Sequence, residues 1–206
     1  MCGRFYIGEK DNEWDQIVSF MNRRSIIPEV KLSGEIFPTD IAPVLAPNRD
    51  RIPSFFPMRW GYSVKGRRYI INARSETAAE KPMFIDGIQR RRCAVPASRY
   101  FEWTRKSSAK QKYSIRPKAG GTFYLAGLYR FESDMPVFTI LTRAPSESVA
   151  FLHDRMPVLL CPADAKKWVE PDTDVKKLLD CALLTMECTL AVKLQKQELP
   201  LLDFDI

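Results

Sequence analysis

Residues 93–143 read CAVPASRYFEWTRKSSAKQKYSIRPKAGGTFYLAGLYRFESDMPVFTILTR. Within them, runs at 93–95, 99–104, 112–116, 122–131 and 137–143 are rich in β-branched and aromatic residues and are separated by turn signals. No helical crossover lies between these runs, so parallel βαβ winding is disfavoured and antiparallel pairing is expected.

Outward from this stretch the elements become shorter. Residues 2–7 read as a brief strand. Asp11 then offers an N-cap to a helix of about three turns, on which Trp14, Ile17, Val18 and Met21 recur at helical spacing. Prolines at 28, 38, 43, 47, 53 and 57 exclude long helices and predict extended segments and turns. A strand is expected at 58–64. A short helix at 75–81 is interrupted by Pro82, and helical structure resumes at 83–91. Beyond the central stretch come a helical turn or two at 146–152, a strand at 156–160, and helices at 162–169, opened by proline, and 173–184. The expected architecture is α+β: a single domain over 1–206, mainly antiparallel strands forming a partly closed barrel, with short peripheral helices.

With 206 residues, 45% hydrophobic and 28% charged, the chain can bury a substantial core and has the composition of a soluble globular protein. No apolar stretch approaches the roughly 20 residues needed to span a bilayer. The N-terminus is polar by residue 9, unlike a secretory signal. A cytoplasmic protein with no membrane partner is expected. The five cysteines, at 2, 93, 161, 181 and 188, are odd in number and lack CxxC or CxxH spacing, so neither a zinc site nor a disulfide framework is expected. No metal or cofactor is expected. The net charge of +7 tilts partners toward polyanions, provided the basic residues gather at a site.

Four local patterns bear on chemistry. Cys2 follows the initiator Met1, so loss of Met1 exposes an amine and a thiol on one residue, a pair able to condense with an aldehyde; the plainer alternative is a buried cysteine that happens to follow the start. His153, the only histidine, sits in Phe151-Leu152-His153-Asp154-Arg155-Met156-Pro157 between a helical turn and an apolar strand. It suits proton transfer near neutral pH, or a purely structural role. In Asn72-Ala73-Arg74-Ser75-Glu76, Asn72 or Ser75 can cap a helix and Glu76 suits its first turn. Arg74 opposes the helix dipole there, a conflict that a bound phosphate relieves. In Ser98-Arg99-Tyr100-Phe101-Glu102-Trp103, alternation sets Glu102 and Tyr100 on one face and Phe101 and Trp103 on the other. A glutamate facing an apolar pocket can act as acid and base in turn, whereas one facing solvent would not. Aromatic and basic residues also interleave at 58–62 and 65–68, as single-strand binding requires, although Trp60 equally suits a core. Arg90-Arg91-Arg92 reads as a solvated helix end.

MCGRF at 1–5, INARSETAAEKPMF at 71–84, RRRCAVPASRYFEW at 90–103 and HDRMPVLL at 153–160 together resemble the SOS response-associated peptidase (SRAP) family. The resemblance spans nearly the whole chain; the tail, 195–206, matches nothing in it. It implies protection of abasic sites in single-stranded DNA by a covalent crosslink. Met1 is lost, by self-cleavage in the family, and Cys2 forms a thiazolidine with the sugar aldehyde. It places Asn72, Glu102 and His153 around Cys2. Glu102 would take and return the amine's proton, His153 would assist sugar ring opening, and Asn72 would hold the amine or a sugar hydroxyl. It makes Arg4, Arg74 and Arg155 phosphate or sugar contacts, and Trp60 and Trp103 shapers of the DNA path. A lyase side reaction is also implied, and the chain is expected to act as a monomer. Departures are mild: Tyr62-Ser63-Val64 replaces a proline-containing stretch, and Tyr129 stands where tryptophan is usual. Two other readings stay open, a cysteine hydrolase using Cys2 and His153, and a non-catalytic single-strand binder.

Overall fold

The computed structural model describes residues 2–9, 11–23, 29–66, 69–104 and 110–191. Met1, Arg67, Arg68 and the tail at 195–206 lie outside the described residues. In chain order the elements are β1 (Phe5–Ile7), α1 (Asn12–Asn22), β2 (Gly34–Ile36), β3 (Ile41–Pro47), β4 (Pro53–Trp60), β5 (Asn72–Arg74), α2 (Ser75–Ala78), α3 (Ile85–Arg90), β6 (Arg92–Ala97) and β7 (Arg99–Trp103). They continue with β8 (Lys112–Pro117), β9 (Phe123–Glu132), β10 (Met135–Arg143), α4 (Glu147–Ala150), β11 (Met156–Pro157), β12 (Leu159–Leu160), α5 (Pro162–Val169), α6 (Val175–Asp180) and β13 (Met186–Leu190).

The expected barrel is a closed ring. Strands β4, β3, β6, β9 and β10 pair in that order, and β10 returns to β4. The ladders are antiparallel except the closing seam, where Val137 faces Arg59 and Phe138 faces Trp60 in parallel register. Strands β5 and β11 extend the sheet from β10, and β12 pairs with β9. A second antiparallel sheet runs in the order β13-β8-β7-β1-β2. Among the described residues no helix is long and apolar enough to cross a membrane.

The proline-rich segment makes two of the barrel's strands because its prolines oppose one another. Pro43 faces Pro57 and Pro47 faces Pro53 in the β3–β4 hairpin. Two prolines cannot exchange N–H···O bonds, so these positions are non-hydrogen-bonded pairs, where the missing donors leave the ladder between these strands intact. Helix α1 follows its predicted pattern, burying Trp14, Ile17 and Met21. Its cap Asp11 accepts from Trp14 N at 2.7 Å and also from Thr122 N at 2.6 Å, which ties the helix to the approach to β9.

Several expectations need correction. The 156–160 strand is two short strands that leave Val158 between them, its N–H donating to Leu141 O at 2.9 Å. The helix expected over 173–184 ends at Asp180, and β13 follows it unannounced; Met-Glu-Cys-Thr-Leu has little β-propensity and owes its conformation to pairing with β8. Asn72 lies in strand β5, and α2 is capped at Arg74 without any side-chain bond. Arg92 is buried rather than solvated. It donates to the carbonyls of Ile88 and Trp168 at 2.7 Å each, and also to those of Gln89, Glu170 and Pro171. These carbonyls lie at or just beyond the C-terminal ends of α3 and α5, where a cation is favoured.

Candidate active site around Cys2

Cys2 stands just ahead of β1, and β1 lies between β2 and β7. The Phe101 N–H donates to Arg4 O at 3.0 Å, which fastens the N-terminal segment to β7 beside Glu102. Cys2 is fully buried, and its thiol donates to Arg4 O at 3.6 Å. Strand β5 is set by its parallel pairing with β10, Asn72 facing Ile140. From there Asn72 Nδ2 donates to the Cys2 carbonyl at 2.9 Å. Its other atom, Oδ1, is buried without a hydrogen-bond partner.

Glu102 is buried, as is Tyr100, which shares its face of β7. Burial, with the Glu102 carboxylate adding to it, pushes the Cys2 thiol far above its ordinary value, so the sulfur is held protonated. Tyr100 is likewise pushed up, by burial first and then by the nearby Cys2, Cys188 and Glu102. Its hydroxyl is buried without a hydrogen-bond partner. Sequence reasoning paired Tyr100 with Glu102 by alternation but gave it no part in the site.

His153 is buried in the loop between α4 and β11. Its Nδ1 lies 3.0 Å from the Arg155 N–H and 2.7 Å from Asp154 Oδ1, and these two partners make opposite demands on one atom. A neutral ring with its proton on Nε2 accepts from Arg155, whereas a doubly protonated ring gives its Nδ1 proton to Asp154. A neutral ring protonated on Nδ1 would also give that proton to Asp154 and leave Nε2 without one.

Gly3, Arg4, Glu102, Trp103, Thr104, Lys110 and His153 line a cleft of about 640 Å³. A second hollow of about 680 Å³ shares Arg4, Trp103 and Lys110 with it and continues past Glu35, Lys112 and Leu190. Together they form one groove with cationic and aromatic walls. The Arg4 guanidinium sits over the rings of Phe37 at 4.5 Å and Trp103 at 5.1 Å. Lys110 was not anticipated, because a single lysine in a polar loop carries no pattern. A separate hollow of about 530 Å³, lined by residues including Phe56, Met58, Tyr129 and Phe131, holds none of Cys2, Asn72, Glu102 and His153. Among the described residues no group of three or more His, Cys, Asp or Glu is placed to hold a metal.

Two expected DNA contacts are placed elsewhere. Trp60 is 0% exposed, stacked on Phe138 and edge-on to Phe5, with Nε1 donating to Ile71 O at 3.0 Å. It offers no face to a base and instead supports the chain just before Asn72. Arg155 gives Nη1 and Nη2 to the two carboxylate oxygens of Glu76, each at 2.7 Å, and Nη2 also to Thr142 O at 2.5 Å. Its guanidinium is committed to the protein. Arg74, by contrast, is exposed and has no ion pair with a described residue.

Fold and site together define a closed α+β barrel protein with a buried cysteine at position 2, an asparagine and a glutamate beside it, and a histidine in the wall of the cleft that the glutamate lines. The model of the SOS response associated peptidase (SRAP) family matches residues 1–194, and the chain belongs to that family. It is 32% identical over 201 residues to the abasic site processing protein YobE of Bacillus subtilis (strain 168), covering 89% of each chain. It is 29% identical over 192 residues to the abasic site processing protein YedK of Escherichia coli (strain K12), covering 88% of this chain and 85% of that one. A crystal structure of a phage-related protein from Bordetella bronchiseptica superposes with a TM-score of 0.72 at 26% identity, covering 93% of this chain and 94% of the other.

Proposed function

We propose that this chain processes abasic sites in single-stranded DNA by forming a covalent crosslink through Cys2, once Met1 has been removed. The names carried by its relatives support abasic-site processing. The observation that carries the finer reading is the setting of Cys2: a fully buried residue whose carbonyl is held by Asn72, beside a buried carboxylate that adds to the upward push of burial on its thiol. A cysteine hydrolase needs a thiolate, made by a nearby cation or base and favoured in an electropositive setting. Burial and Glu102 work against that here. They do not hinder a reaction led by the amine.

Hydrolysis of the Met1–Cys2 bond frees the α-amine, whose ordinary pKa is about 8. Glu102 takes the ammonium proton. The ring-opened sugar presents an aldehyde at C1′; the amine adds to it, and the carbinolamine loses water to give an imine. Sγ then adds to C1′ while its proton passes to nitrogen, closing the thiazolidine with a net loss of one water. Nε2–H of His153 assists ring opening as a donor, and the open acceptor Oδ1 of Asn72 receives an N–H or a sugar hydroxyl. Arg4, Arg74, Lys110 and the Trp103 ring guide the flanking strand. If a base removes a C2′ proton before the ring closes, the C3′–O bond breaks and the 3′ phosphate leaves, which is the lyase side reaction.

Incubation with single-stranded DNA bearing one abasic site tests the reading. The expected result is a band shift that survives denaturation and is abolished by Cys2→Ala, with Glu102→Gln slowing its formation by about 10²-fold or more. Intact mass of the reacting species should lack Met1. Folded protein with a free Cys2 amine that forms no covalent species would end this reading, and binding unaffected by Cys2→Ala would favour a non-catalytic single-strand binder.

A further inference from the structure

We propose that Glu35 is a brake on strand binding: its carboxylate holds the place of a phosphate between Arg4 and Lys112, so that a strand without the reactive sugar is released readily. The proposal rests on the reading of the groove beside Cys2 as the path of single-stranded DNA. Glu35 is the middle residue of β2, the edge strand of the second sheet, and faces Tyr6 of β1. Lys112 opens β8 and faces Trp103 of β7. Although β7 and β1 lie between their strands, the two side chains meet, Lys112 Nζ pairing with Glu35 Oε1. The other carboxylate oxygen, Oε2, lies 3.5 Å from Arg4 Nη1. One carboxylate thus bridges two cations of the groove.

Both cations are seated on aromatic rings. Lys112 Nζ lies 3.8 Å from the centre of the Phe101 ring and 5.9 Å from that of Trp103, and the Arg4 guanidinium lies 5.1 Å from the same Trp103 ring. A ring with cations beside it is suited to stack a base and meet the neighbouring phosphates. Among the described residues lining this hollow, Arg4, Lys110 and Lys112 are the cations and Glu35 is the one carboxylate. The side chains of Arg4, Glu35 and Lys112 are 38%, 29% and 23% exposed, so an ion pair here adds little to folding and stays open to an incoming strand. A phosphate arriving at Arg4 and Lys112 must share them with Glu35, against the repulsion of like charges, or displace it. Either way the strand loses about one phosphate contact of affinity. Weak reversible binding suits a protein whose retention on the lesion comes from a covalent bond, because intact strands then vacate the site.

Glu35→Gln keeps the shape of the side chain and removes its charge. Combining it with Lys112→Gln removes one charge of each sign and restores the balance. Fluorescence anisotropy across a salt series would compare both variants with the unaltered protein on an undamaged single strand. Glu35→Gln is expected to steepen the salt slope by about 0.7 and to bind about fivefold more tightly at about 0.1 M salt, the gain of one phosphate contact over a tenfold drop from about 1 M. The double variant should return to the slope of the unaltered protein, which a merely structural role for Glu35 would not produce. In crosslinking of a trace abasic oligonucleotide, the concentration of undamaged competitor that halves the rate should fall by the same factor in Glu35→Gln. An affinity and slope unchanged by Glu35→Gln would overturn the proposal. So would weaker binding, which would make Glu35 a support for the two cations, or a double variant with a slope as steep as that of Glu35→Gln. If the unaltered protein forms no crosslink, the Cys2 reading fails on its own, and the slopes on undamaged strands still decide the part played by Glu35.

Discussion

The phenol of Tyr100 is the least satisfied polar group beside Cys2, with a hydroxyl that is buried and unpartnered in a ring that is 0% exposed. A buried hydroxyl without a partner costs about 1–3 kcal/mol in lost hydration. Tyr100→Phe keeps the ring and removes the cost, so the variant should melt a few degrees higher, since 1 kcal/mol is worth roughly 2–4 °C at this size. Crosslinking should persist; a melting point below that of the unaltered protein, or an abolished crosslink, would give the hydroxyl a partner in the working complex. At this scale the sequence was readable where chemistry is local. Cys2, Asn72, Glu102 and His153 each sit in a short pattern that marks the residue as a candidate, and the structure brings Asn72 and Glu102 to Cys2 and sets His153 in the wall of the same cleft as Glu102. The neighbours of Trp60 and Arg155 come from afar in sequence. Phe138 covers one, and Glu76, 79 residues away in sequence, occupies the other. No local spacing encodes either neighbour.

Among the elements, β9 makes six-pair ladders with both of its ring neighbours, β6 and β10. At Gly127 it faces Cys93 on one side and Ile140 on the other. A Cβ placed there would lie 2.8 Å from Thr139 O and 3.1 Å from Cys93 Sγ, and the first of these is backbone that cannot swing aside. Gly127→Ala should therefore destabilise the fold by about 1–3 kcal/mol, read as a lower urea midpoint. Ile140 is also the partner of Asn72, so the strain reaches the grip on Cys2, and crosslinking should fall at temperatures where the protein is still folded. An unchanged midpoint would mean that the strands separate freely at this position. The strands of 93–143 were legible because alternation and turn signals are local features. Closure of the ring was not, since it depends on a parallel seam between β4 and β10, whose register no pattern within either strand specifies. Strand β13 was hidden for a related reason, its conformation being imposed by β8.

Over the whole molecule, the excess of seven positive charges matters only where it is unpaired. Several cations lean on a carboxylate: Arg59 and Arg130 share Glu132 and Lys112 and Arg4 share Glu35, each group keeping one positive charge in excess, while Arg155 holds Glu76 one to one. Arg74, exposed and two residues before Glu76 in sequence, is one of the cations without an ion pair among the described residues. A cation free in solution is the kind that releases a counterion when it meets a phosphate. For single strands each such contact contributes a slope of about −0.7 to the logarithm of affinity against the logarithm of salt concentration. Arg74→Ala should then weaken binding to tetrahydrofuran-containing single strands by a similar factor whatever the flanking bases, and make the slope shallower by about 0.7. Fluorescence anisotropy across a salt series measures both quantities together. A weakened affinity with an unchanged slope would mean that Arg74 acts through the shape of β5 and not through its charge, because the slope moves only when a cation that displaces a counterion from a phosphate is taken away.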